Sequence, residues 1–175
     1  MKSTVVKWQV AGYLFTSVLG TFLHFLFDLT GGSPIAGLIS AVNESIWEHM
    51  KLIFYPMLLF AAAEYRSWGR ETAGFWCIKL GGILRALVLI PVLYYTYTGT
   101  LGVSADWFNI TIFFLAALWA YRWETKASLE NRPCRIPARA AVGILLAIAA
   151  IFTAFTFFPP RIPFFRDPLT GSYGI

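Results

Sequence analysis

Asn43-Glu44-Ser45-Ile46-Trp47-Glu48-His49-Met50-Lys51 gathers two carboxylates, an imidazole, an amide and an ammonium into one short stretch of an otherwise apolar chain. Imidazole nitrogens and carboxylate oxygens together suit zinc or another divalent transition metal, and a tuned carboxylate can act as a general base. Upstream, His24 and Asp28 stand four residues apart, on one face of any helix that carries them. The pattern nominates His24, Asp28, Glu44, Glu48 and His49 as metal ligands, with Glu44, Glu48 and His49 as the catalytic groups. Asn43, Trp47, Lys51, Arg85 and Asp167 are the candidates for contact with a substrate. Polar side chains are expensive where lipid replaces water, so such a cluster at the mouth of a membrane segment marks a functional site by default.

The elements that must position these groups follow from composition. The chain has 175 residues, 58% hydrophobic and only 13% charged. A soluble domain carries about 25% charged residues, so this surface cannot be solvated throughout. Several apolar runs exceed the roughly 18 residues a spanning helix needs, and none alternates with the period of a barrel strand. The expectation is an all-α, polytopic membrane helix bundle of about five spans, in one domain. These run over about 8–30, 43–66, 75–97, 107–123 and 141–158, with an irregular proline-rich tail over 159–175. Lys and Arg gather in connections on one side, which puts the N-terminus inside and the tail outside. The net charge of +5 reflects that bias. No basic face interleaved with exposed aromatics exists to track a nucleic acid. Cys77 and Cys134 lack CxxC spacing and fall on the inner side, where thiols stay reduced, so neither a disulfide nor a zinc knuckle is expected.

An unbroken helix from Pro34 to Arg66 would be about 50 Å long, too long for a hydrocarbon core of about 30 Å, so a break is expected near Ser40–Glu44. On a helix starting at Asn43, Glu44, Glu48, Lys51 and Tyr55 form one polar stripe. Glu48 and Lys51 can pair at i,i+3. Arg85, near mid-depth, must face the interior or a cavity, where it can hold an anion or bond to carbonyls. Glu64, with Arg66 and Arg70, reads as a solvated group, and Asp106 as the N-cap or first acid of its helix.

Three functions fit these residues. The leading one is an outward-facing metal-dependent hydrolase acting on a lipid-like substrate. The second is a small proton- or cation-coupled transporter or channel. In the third, the ion pairs only stabilise a structural or assembly protein. Membrane lipids are the expected partners. A homo-oligomer is consistent with so small a bundle, although no GxxxG seam marks an interface.

The phrase NESIWEHMKLIFYP at Asn43–Pro56, with the upstream histidine and the ending PPRIPFFRDPLTGSYGI, resembles a family of small bacterial integral membrane proteins of unknown function. The resemblance implies a multi-pass protein of the bacterial plasma (inner) membrane and no particular activity. The shared residues it implies are His24, Asn43, Glu44, Trp47, Glu48, His49 and Lys51, with Pro159, Pro160, Asp167 and Gly171 in the tail. A looser likeness to membrane hydrolases that hold zinc with Asp and several His is limited by the two histidines of this chain. They cannot build a three-histidine site.

Overall fold

A computed structural model describes residues 2–130 and 132–175. Six α-helices follow in order: α1 (Lys2–Leu29), α2 (Pro34–Gly37), α3 (Ile46–Ser67), α4 (Phe75–Leu101), α5 (Asp106–Leu129) and α6 (Ala138–Phe157). Short 3-10 turns lie at Gly69–Glu71 and Pro163–Phe165, and the described residues contain no strand. Three helices, α1, α4 and α6, are long and apolar enough to cross a membrane. At 1.5 Å per residue, α3 and α5 are each about 33 to 36 Å long, but they carry more charge along their length.

Local chemistry sets the boundaries. Two positive-φ glycines, Gly31 and Gly32, end α1, and the amide of Gly32 donates to the carbonyl of Phe27 at 2.9 Å, as in a Schellman turn. The break expected before the second span is present, for α2 stops at Gly37 and α3 starts only at Ile46. Ser45-x-x-Glu48 is a helix-start signature, and the Ser45 hydroxyl does accept from the Glu48 amide at 3.4 Å. Glu44 therefore lies outside the helix, not on the polar stripe expected of it. Asp106 is the first residue of α5, with Ala105 as N-cap.

Helices α1, α3, α4 and α5 form a closed ring, α1 against α3 and α5, and α4 against α3 and α5. The sixth, α6, packs outside the ring on α4 and, less extensively, α3. Close approach of α1 to its neighbours depends on small residues one turn apart, Gly12, Thr16 and Gly20. A β-carbon on Gly20 would lie 2.5 Å from the backbone oxygen of Leu52 and 2.6 Å from the Phe113 ring. Gly20→Ala is expected to cost about 1–3 kcal/mol, read from the denaturant midpoint in detergent. Gly143→Ala, where nothing lies within 4 Å, is the control and should leave the midpoint unchanged or raised.

Two expectations are corrected. Cys77 and Cys134 are joined as a disulfide, their Cα atoms 6.2 Å apart, because the connection between α5 and α6 returns over the start of α4. Glu64 is not solvated. It is fully buried and paired with Lys79.

Candidate metal centre

Glu44 owes its position to the turn that precedes α3. Asn43 Oδ1 accepts from the Ser45 amide at 2.9 Å, and Asn43 Nδ2 donates to the carbonyl of Gly174 at 3.2 Å. Held between these two anchored residues, Glu44 places one carboxylate oxygen 3.6 Å from His24 Nε2 and the other 3.4 Å from His49 Nε2. The imidazole rings are 5.3 Å apart, edge to face. Ligand atoms of His24, Glu44 and His49 all lie within 4.8 Å of one another, and the three residues are half-buried. They come from three separate segments: the last turns of α1, the connection, and the first turn of α3.

The spacing and the proton positions are informative. Two atoms each about 2.1 Å from a tetrahedral ion are about 3.4 Å apart. The 3.6 and 3.4 Å separations here run to different oxygens of Glu44, so a single ion would draw the three ligand atoms inward from their 4.8 Å spread. His49 Nδ1 lies 2.9 Å from the carbonyl oxygen of Ser45. A carbonyl only accepts, so Nδ1 carries the hydrogen; the neutral ring then keeps the Nε2 lone pair for a metal, and the protonated ring donates from Nε2 to Glu44. The Nδ1 contact is the one that metal-ligating imidazoles characteristically make. Bonding to His24 and then to His49 holds the Glu44 carboxyl well below the usual carboxylate range, against the opposing effect of burial. The Glu44 carboxylate between two imidazole edges is matched either by a proton on a ring nitrogen or by a metal cation.

The remaining candidates lie elsewhere. Asp28 is exposed, beyond the cluster. Glu48 projects to another side of α3 and is buried. Its Oε2 accepts from Lys51 Nζ at 2.6 Å and the Val42 amide at 3.1 Å, and its Oε1 accepts from Thr156 Oγ1 at 3.1 Å. Lys51 Nζ also donates to the carbonyl of Gly37 and to Thr156 Oγ1, each at 2.8 Å. The expected i,i+3 pair is therefore formed, and it ties the α2 connection, α3 and α6 together. Trp47 sits in an aromatic box, its ring 4.6 Å from that of Phe152 and 4.9 Å from that of Phe165. Asp167 accepts from the Leu169 amide and the Thr170 hydroxyl within its own turn. Arg85 is half-buried, donating to the carbonyl of Gly81 at 2.8 Å and lying 3.6 Å over the Trp123 ring.

An apolar groove of about 580 Å³ opens between α1, α3 and α6, lined by Leu19, Leu23, Tyr55, Leu59, Trp76 and Leu145 among others. None of the three clustered residues lines it.

Over residues 1–175 the chain matches the family described as Family of unknown function (DUF6512). The chain belongs to DUF6512. No curated protein and no solved structure matches it. What DUF6512 membership establishes is the family alone, and the chemistry rests on the geometry of this chain.

What sequence reasoning missed is the grouping. It placed five residues in one set, and the structure joins three of them while giving Glu48 to Lys51. The Ser45-x-x-Glu48 signature was the available signal, since it assigns Glu48 to the first helical turn and leaves Glu44 before it.

Proposed function

We propose that this DUF6512 chain is a polytopic membrane protein, with α3 and α5 crossing beside α1, α4 and α6, that binds one divalent transition metal through His24, Glu44 and His49. The reading goes on to a hydrolase acting on a lipid-like ester or phosphoester. The single observation that carries it is the convergence of the three ligand atoms, with His49 oriented by its Nδ1 contact. Two imidazoles and one carboxylate leave a fourth position for water or substrate, as in catalytic zinc sites. A metal held there supplies a Lewis acid and lowers the pKa of bound water.

The residues of the chain do the rest. Glu44 neutralises one charge of the ion, and the Ser45 carbonyl fixes the His49 ring. Exposed Phe22, Phe25, Leu29 and Ile35 surround this end of α1, which favours a molecule that is itself partly apolar. The test is turnover of phosphoester and carboxylester lipid analogues by protein in nanodiscs, before and after chelation. Hydrolysis that disappears with chelator, returns with zinc or manganese, and is lost in His49→Ala supports the reading. Metal-loaded, folded protein inactive on the whole panel would sink the hydrolase and leave the metal site standing.

Metal affinity carries its own pH signature. Each imidazole must be neutral to ligate, so affinity should fall as the pH is lowered and the rings take up protons. For Glu44 the sign is opposite to that of a raised base. Its folded pKa is depressed, so the stabilisation is present above its ordinary pKa and is lost only well below it. Competition titrations at several pH values should therefore show a loss set by histidine protonation.

A further inference from the structure

At the opposite end of the ring from the metal centre, each of the four ring helices contributes one polar side chain to a single buried cluster. These are Gln9 of α1, Glu64 of α3, Lys79 of α4 and Glu124 of α5, all with 2% exposure or less. Lys79 Nζ lies 2.6 Å from Glu124 Oε2 and also contacts Glu64 Oε2. Gln9 Nε2 donates to Glu64 Oε1 at 3.1 Å. The Lys79 ammonium lies 5.6 Å from the centres of the Phe75 and Tyr121 rings. The Tyr121 hydroxyl is occupied by Thr16 at 2.8 Å.

Two carboxylates share one ammonium, and among the described residues no other cationic group lies within 4 Å of either. If all three were ionised, one negative charge would be left uncompensated in the buried interior of the bundle. A buried group in that position is neutralised instead. Two acceptors in the cluster, Gln9 Oε1 and Glu124 Oε1, also have no hydrogen-bond donor, and a buried acceptor without a donor is costly. Gly82 leaves room for the second of these, since a β-carbon there would lie 2.1 Å from Glu124 Oε1. A single added hydrogen removes the surplus charge and supplies a missing donor.

We infer that the Gln9–Glu64–Lys79–Glu124 cluster is a binding site for one exchangeable proton, shared by the two carboxylates. Gln9 and His24 are 15 residues apart on α1, which puts this site about 22 Å along the helix from the metal centre. It is independent of whether a metal binds there.

Infrared difference spectroscopy of the full chain in nanodiscs tests it. The parent should show the carbonyl band of a protonated carboxylic acid, shifted in deuterated water and lost as the pH is raised across the range in which the fold is stable. Glu64→Gln and Glu124→Gln each replace a carboxylate by its neutral isostere, so at least one should abolish the band without lowering the melting temperature. If both variants unfold, the parent band and its deuterium shift decide alone. Absence of the band throughout that range, or its survival in both folded variants, overturns the proposal. So does a parent that lacks the band and melts higher with added sodium, for then a metal cation occupies the site.

Discussion

Purified without chelator, the protein should carry close to one divalent transition metal per chain, and His49→Ala or Glu44→Ala should carry almost none. Removing an outer partner of a metal ligand costs 10- to 100-fold in affinity, so removing a ligand from a set of three should weaken binding by about 100-fold or more. His24 and His49 belong to different helices, so the ion joins the end of α1 to the start of α3. The parent should therefore melt higher when loaded with metal and lose that increment in either variant. Glu44 lies outside any helix and is half-exposed, so Glu44→Ala should lower the apo melting temperature only by the solvent-screened contacts it makes with the two histidines. A well-folded parent that holds no metal even after reloading would leave the triad as two imidazoles hydrogen-bonded to one carboxylate. Hydrolysis would fall with it.

Lys51→Met should destabilise the fold by about 3–5 kcal/mol, more than Gly20→Ala, because it strands a buried carboxylate. Glu48 would keep only the Val42 amide and the Thr156 hydroxyl as partners. The double variant Glu48→Gln/Lys51→Met removes both charges and should recover much of the loss. Thr156→Val should fall between, at about 1–3 kcal/mol, since it leaves acceptor and donor without their shared hydroxyl. Denaturant unfolding in detergent gives all three values, and the cycle separates the pair from its surroundings. Equal losses in the single and double variants would mean that packing of the long side chains, not the ion pair, is what α6 requires. The carbonyl of Thr156 also accepts from the Ile175 amide at 3.1 Å. The same position thus anchors the last residues of the chain, and Lys51→Met should loosen the tail as well.

The all-helical class, helices long and apolar enough to cross a membrane, and the location of the polar stretch were legible in the sequence, for one physical reason. Apolar runs long enough to cross a hydrocarbon core, and polar residues interrupting them, are properties of the chain read locally. The break before α3 followed from length alone, and the Glu48–Lys51 pair from helical spacing. His24 and His49 were recognisable as ligand types for the same reason.

Which groups meet was decided only in three dimensions. Helical spacing joined Glu44 to Glu48, but the Asn43 and Ser45 side chains start α3 only after Glu44 and leave its carboxylate facing two histidines 25 residues apart. Glu64 looked solvated beside Arg66 and Arg70, yet ring closure places it against Lys79 and Glu124, residues from two other helices. Cys77 and Cys134 gave no pairing signal in their spacing, and the return of the α5–α6 connection brings them together. Burial and charge balance depend on neighbours far away in the chain, and local patterns carry no information about those. Sequence by itself therefore determined a bundle of long apolar helices interrupted by one polar stretch. The tertiary structure alone separated that polarity into a His24–Glu44–His49 cluster and a buried ion pair that locks α6, and assembled a charge-imbalanced cluster at the other end of the ring.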